Sequence, residues 1–349
     1  MSKMVFQAKK GRDKGFLSRL RERYDDRALR SQVTHLHGPK KFELGDDEVA
    51  LVVLGRNVSY HLATVVEHHR AMGADYLIYL DNGSTDGSIE LAKTFPNTIV
   101  ATCPLGFREY QMNMRHYAST LFVEGGWRLV LDSDELLDFP GADRMQLPDL
   151  TRKLNAEGHT ALVCQMLEMV PPGPLSAHQG LSFEDTLKAF NSYSLADIDA
   201  RDYYSKVTRW HWYMDQNKTT NPDIKIMFGG IRATLFGEEC CITKHPLFKM
   251  GPEVNPGVHP HISTGVTCAD FSAVLRHYKF SGDFLERETA RIAEQRLKHN
   301  EAVLRISRFA EEPDLSFLLP TSKQDPTVES LLDDGFIVAS DAAKSRLGL

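Results

Sequence analysis

Apolar residues fall into two kinds of run along this chain, short unbroken blocks and longer stretches where they recur every three or four positions, and the two kinds alternate. Val49-Ala50-Leu51-Val52-Val53-Leu54, bounded by Asp46-Asp47 and Gly55, predicts a strand covered on both faces. Val58, Leu62, Val65, Val66, His69 and Met72 then keep helical spacing up to Gly73, a natural helix stop. Tyr76 to Leu80 predicts a second buried strand. It runs into the turn-rich segment Asp81-Asn82-Gly83-Ser84-Thr85-Asp86-Gly87-Ser88, which supplies caps for a helix through Leu91 and Phe95. Thr98 to Thr102 predicts a third strand, residues from about 109 to 123 a third helix, and Arg128 to Leu131 a fourth strand. This alternation predicts an α/β fold, a Rossmann-like, mostly parallel central sheet flanked by helices and joined by right-handed crossovers. Ligands of such sheets bind beyond the carboxyl ends of the strands.

The second half is less regular. Ala161 to Val170 predicts a strand beside the fourth, and the polar, turn-rich stretch from Pro171 to about Asp223 crowds Tyr203, Tyr204, Trp210, Trp212 and Tyr213 together. Aromatic faces stack on the apolar faces of sugars, which makes Trp210, Trp212 and Tyr213 candidate acceptor contacts; the alternative is a satellite core cluster. Gly229-Gly230 suits either a close backbone approach to a ligand or a plain turn. Phe284 to Phe309 reads as one charged amphipathic helix bracing the sheet. The domain reading is therefore a leader (1–45, helical or partly disordered), a main domain (46–310) and a docking tail (311–349). The main domain comprises a regular half (46–140), an irregular half (141–282) and a C-terminal helix (283–310).

The 349 residues suffice for one large or two small domains, and a mean hydropathy of −0.32 is that of a soluble protein. No run reaches the roughly eighteen apolar residues of a membrane span, and Met1-Ser2-Lys3-Met4 opens no signal-peptide pattern. Cys103, Cys164, Cys240, Cys241 and Cys268 lack zinc spacings and read as reduced thiols of a cytoplasmic protein. The net charge of −6 is uneven: residues 1–41 carry twelve basic against four acidic side chains, an excess of +8 that leaves −14 for the rest. Phe16, Leu17, Leu20 and Tyr24, with Arg19, Arg21 and Arg23 around them, fit either a packed N-terminal helix or weak peripheral contact with anionic lipid at the inner face of a membrane. The acidic body disfavours nucleic acid.

The fourth strand stops at Asp132-Ser133-Asp134-Glu135. Buried carboxylates are costly unless a cation compensates them, so three within four positions point to a bound metal. Alternate residues of an extended chain face one side, so Asp132 and Asp134 would offer oxygens to a hard divalent ion that completes its shell with a diphosphate. A solvated turn is the bland alternative. Against it, Asp81 and the loop Gly55-Arg56-Asn57 belong to the same rim, and Arg56 suits a phosphate.

These residues, Arg56-Asn57, Glu67-His68-His69 before Gly73, Asp81-Asn82-Gly83-Ser84-Thr85-Asp86 and Asp132-Ser133-Asp134-Glu135, resemble in order the motifs of bacterial family 2 glycosyltransferases, in the branch written Arg-Asn-Glu, Asn-x-Ser-x-Asp and Asp-x-Asp-Glu-Phe. The similarity extends through Met169-Val170-Pro171-Pro172-Gly173-Pro174-Leu175, Gly229 to Gly237 and Lys244-His245-Pro246-Leu247 to His277-Tyr278-Lys279-Phe280, covering roughly residues 48–310. Val58 replaces the branch's Glu, and Leu136 its Phe.

The resemblance implies a GT-A fold, a nucleoside-diphosphate sugar donor with a UDP-sugar as first choice, Mn²⁺ or Mg²⁺, and transfer with inversion to a saccharide or lipid-linked acceptor, as in surface-polysaccharide biosynthesis. It puts Asp81 on the nucleoside base, Asp132 on ribose or metal and Asp134 on metal, with Asn82, Ser84, Asp86, Ser133, Gly229 and Gly230 in the donor site. The late histidine of the metal shell is His259, His261 or His277, with His259 and His277 favoured equally. The base that inversion needs is Glu238 or Glu239, with Glu135 and Asp223 as rivals. A sugar nucleotidyltransferase, or a non-catalytic binding protein on the same sheet, is the alternative.

Overall fold

The computed structural model describes residues 27–294 and 300–349. The leader's Phe16, Leu17, Leu20 and Tyr24 lie outside them. The described chain runs β1 (Thr34–His37), β2 (Val49–Gly55), α1 (Ser59–Ala71), β3 (Tyr76–Asp81), α2 (Ser88–Lys93), β4 (Thr98–Thr102), α3 (Phe107–Thr120), β5 (Trp127–Leu131), β6 (Glu135–Asp138), α4 (Leu147–Ala156) and β7 (Ala161–Glu168). It continues through α5 (Phe183–Ala189), α6 (Ile231–Phe236), β8 (Thr243–Lys249), β9 (Cys268–His277), α7 (Phe284–Ala293) and α8 (Glu301–Glu311).

Nine strands form one sheet in the order β1-β4-β3-β2-β5-β8-β7-β9-β6. β2, β3, β4, β5, β7 and β9 run one way and β1, β6 and β8 the other, so the sheet is mostly parallel. Alternate residues of β2 feed different cores: Val49, Leu51 and Val53 join Leu62, Val65 and Val66 of α1, while Ala50, Val52 and Leu54 join Met114 and Ala118 of α3. A strand buried on both faces must be apolar at every position, hence its unbroken run. After β4 the chain turns back and inserts β5 on the far side of β2. That reversal is a switch point, the place where ligands of such sheets bind beyond the carboxyl ends of the strands.

Three expectations need correction. The end of the leader is not helical or loose throughout: β1 pairs antiparallel with β4 at the sheet edge. β7 does not lie beside β5, because β8 intervenes antiparallel to both. The helix expected from Phe284 to Phe309 is two, α7 and α8, held to each other by Arg305 and Glu288 at 2.5 Å. The tail docks through Leu331, Phe336 and Ile337, all buried, and through Val338, which exchanges hydrogen bonds with Ser272 of β9. Among the described residues no helix is long and apolar enough to cross a membrane.

Candidate functional site

The loops after β2 and β3 are laced together. Ser84 Oγ accepts from Asn57 N at 2.9 Å, Asn57 Oδ1 accepts from Thr85 N at 2.8 Å, and Asp86 accepts from Ser59 N at 3.0 Å. Asn57 holds φ 55°, a left-handed conformation that asparagine tolerates better than most residues. Burial opposes the charge of Asp86, but donors on Ser88 and Ser59 outweigh it and keep its pKa below the usual value. Asp81 is fully buried, and its carboxylate accepts from Gly83 N, Ser84 N, Tyr79 OH and Thr102 Oγ1. With those bonds made it shapes the loop from within. Asn82 likewise turns inward, donating to the carbonyls of Cys103 and Leu105. Arg56 reaches across to Glu294 beyond α7, at 2.8 Å.

The acidic cluster after β5 divides in two. The backbone turns at Ser133-Asp134 instead of staying extended, so the alternation expected to aim Asp132 and Asp134 at one point does not apply. Asp132, a third exposed, is 2.7 Å from Arg115 of α3 and 2.8 Å from Lys244 of β8. Because β8 runs antiparallel to β5, its first residues arrive where β5 ends. Lys244 also contacts Glu135, whose other oxygen accepts from Asp132 N at 3.0 Å. Burial works against the charge of Asp132, yet Arg115 and Lys244 hold its carboxyl below the ordinary range; burial raises the pKa of Glu135 despite Lys244. Arg115 and Lys244 thus bring positive charge from the protein itself to these two acids.

Asp134 has a different partner. His277 at the end of β9 places Nε2 3.6 Å from Asp134 Oδ2, while its Nδ1 donates to Glu168 Oε2 at 3.0 Å. The three strands β7, β9 and β6 are in register here, with His277 opposite both Glu168 and Glu135. Burial alone would lower the pKa of His277, but Glu168 and Asp134 on either side raise it to about 9. Glu168 is held in turn by Arg232 at 3.3 Å and by the backbone N–H of Lys279 at 3.2 Å. Lys279 and Arg287 add positive charge that Asp134 feels, and neither has a carboxylate within ion-pair distance among the described residues.

The remaining candidates are placed as follows. His259 packs on Trp210, ring centroids 4.6 Å apart, and lines a cleft with Arg115, Lys244, His245 and His261. Burial lowers the pKa of His259 to about 4. Trp210 also meets Phe228, Tyr213 packs on the same cluster, and Trp212 is 48% exposed. Glu238 is not an exposed acid but a buried one, 2.6 Å from Arg305 and 3.7 Å from Arg232. Glu135 is fully buried, so of the four acids considered as base Glu238 and Glu135 are buried and Glu239 faces solvent. The rival Asp223 is exposed too. Gly229 and Gly230 take positive φ where the hairpin of Ile198–Asp202 and Lys225–Gly229 meets α6, and a Cβ on Gly229 would lie 2.6 Å from Asp197 O. Packing therefore requires glycine there; both also line a cavity with Glu168 and Arg232.

Arg115 and Glu168 were not singled out from sequence, and Lys244 entered only within the motif Lys244-His245-Pro246-Leu247, with no role assigned. The available signal was a lone charge inside an apolar run: Glu168 ends the run of β7, and Lys244 sits within β8. Among the described residues no group of three or more metal-ligating side chains is close enough to hold an ion unaided. Asp134 and His277 nonetheless fit two adjacent positions of one shell: 3.6 Å is long for a hydrogen bond, while ligands at roughly 2.1 Å from a common ion stand about 3 Å or more apart. Mg²⁺-type sites commonly use only one or two protein ligands and take the rest from substrate and water. Comparison of the chain with models of protein families finds no match, and comparison with curated proteins finds none.

Proposed function

We propose that this protein is a glycosyltransferase of GT-A type, moving a sugar with inversion from a nucleoside-diphosphate donor to a saccharide or lipid-linked acceptor at the cytoplasmic side of the cell. The observation that carries the reading is the Asp134–His277 pair at the carboxyl ends of β5 and β9, on the rim that also carries the laced loops after β2 and β3. Those loops form a preorganised floor for a nucleoside, and the exposed part of Asp132, fixed by Arg115 and Lys244, is oriented to accept from a ribose hydroxyl. Asp134 and His277 would hold Mn²⁺ or Mg²⁺, which when bound neutralises charge gathering on the leaving diphosphate. Lys279 and Arg287 favour the same charge from the protein side, and Arg56 becomes available to a phosphate on leaving Glu294. Trp210 beside His259, with exposed Trp212, provides stacking faces for the acceptor.

The test is nucleotide release from a panel of UDP-, GDP- and dTDP-sugars with Mn²⁺, read beside donor binding. Asp134→Ala is expected to abolish both turnover and the metal-dependent part of binding. Wild-type binding and turnover in that variant would sink the assignment, and hydrolysis of none of the donors by the intact chain, with and without acceptor saccharides, would sink the activity.

A further inference from the structure

Glu168 belongs to no motif of the sequence, yet it is among the most constrained carboxylates of the rim. Its side chain is 9% exposed and meets three donors: His277 Nδ1 at 3.0 Å, Arg232 Nε at 3.3 Å and Lys279 N at 3.2 Å. β7 and β9 are parallel neighbours with Glu168 and His277 in register, so the contact is set by the sheet and not by a mobile loop. An ionised carboxylate can only accept, so the proton of this contact sits on Nδ1. Nε2, the nitrogen facing Asp134, is then the one that could give a lone pair to a cation, in exchange for the proton it holds toward Asp134.

We infer that Glu168 is a positioning residue for the cation site: it fixes His277 in the Nδ1–H tautomer and aims Nε2 at the space beside Asp134. This rests on the metal reading above and adds the residue that makes the imidazole a competent ligand. Behind it, Arg232 passes the restraint to Glu238, and Glu238 to Arg305 of α8, so the orientation is anchored in a buried chain of alternating charges. A carboxylate behind a ligating histidine typically accounts for 10- to 100-fold in metal affinity.

The experiment uses the full chain and Mn²⁺ alone, with free Mn²⁺ read by electron paramagnetic resonance, together with the ring ¹⁵N spectrum of His277 in the Mg²⁺-saturated protein. Glu168→Gln is expected to weaken Mn²⁺ binding by about 10- to 100-fold, with Glu168→Asp recovering part of the loss. His277 of the unaltered chain is expected to carry its proton on Nδ1. Wild-type affinity in Glu168→Gln, or a proton on Nε2 in the Mg²⁺-saturated chain, overturns the inference. If Glu168→Gln fails to fold by circular dichroism, the tautomer in the unaltered chain decides. Loss of Mn²⁺ in Asp134→Ala and His277→Ala with none in Glu168→Gln removes Glu168 alone. An intact chain that binds no Mn²⁺, or that binds it equally in all three variants, removes the cation site and this role together.

Discussion

Lys244 Nζ stands between two carboxylates, 2.8 Å from Asp132 and in direct contact with Glu135, although it lies 112 and 109 positions from them along the chain. The lysine is 3% exposed and Glu135 is fully buried. Breaking such a pair leaves a charge with no solvent to take it up. Lys244→Met is therefore expected to lose about 3–5 kcal/mol of unfolding free energy, measured by urea titration. A loss under about 1 kcal/mol, the scale of an exposed pair, would show that water reaches Glu135.

A second buried pair, Glu238 with Arg305 at 2.6 Å, fastens α8 to the segment after α6. Arg305 also binds Glu288 of α7, so one guanidinium joins three elements. Glu238→Gln and Arg305→Met should each destabilise by a few kcal/mol, and the double variant by clearly less than their sum, with a coupling of roughly 1–3 kcal/mol. Strict additivity in the denaturation cycle would mean that the two side chains act independently.

Acid stability should depend on His69. Its Nδ1 donates to Val65 O within α1 at 2.7 Å and its Nε2 accepts from Leu137 N of β6 at 3.1 Å, so the ring is neutral, both nitrogens are used, and Nε2 joins α1 to β6. Burial lowers its pKa from 6.5 to about 3. A depressed folded-state pKa means the unfolded chain binds the proton first. The contribution is thus complete above pH 6.5 and is lost as pH falls from there toward 3. His69→Phe should be less stable at neutral pH yet show a shallower decline across that window, with His61, lowered to about 3 by its own burial, accounting for what remains. An unchanged slope in unfolding free energy against pH would contradict this.

Gly229 and Gly237 both adopt positive φ, 85° and 68°, but a Cβ on Gly229 meets Asp197 O at 2.6 Å and one on Gly237 meets nothing within 4 Å. Gly237→Ala should cost only backbone strain, about 1 kcal/mol, and Gly229→Ala more, about 2–3 kcal/mol. Thermal melts that ranked them the other way would place the hairpin differently.

The first half of the fold was legible because its signals are local. A strand covered on both faces is apolar at every position and a helix on a sheet is apolar every third or fourth, so β2 to β5 and their helices can be read from spacing alone. β8 escaped that reading because Lys244, His245 and Pro246 interrupt its pattern; a shift in register against β7 between Lys244 and Leu247 accommodates the proline. The sequence placed Asp81, Asp132 and Asp134 at the ends of parallel strands. It did not show that Arg115 and Lys244 flank Asp132, because they lie 17 and 112 positions from it.

The order of residues by itself determined a parallel α/β half with acidic loops on its carboxyl rim, since burial on two faces and turn chemistry act over a few neighbours. Tertiary structure alone decided which acids are already neutralised and which are not. The antiparallel entry of β8 brings a lysine to Asp132 and Glu135, while β7 and β9 bring Glu168 and His277 to Asp134. Charge compensation depends on distance in space, and spacing along the chain does not carry that information.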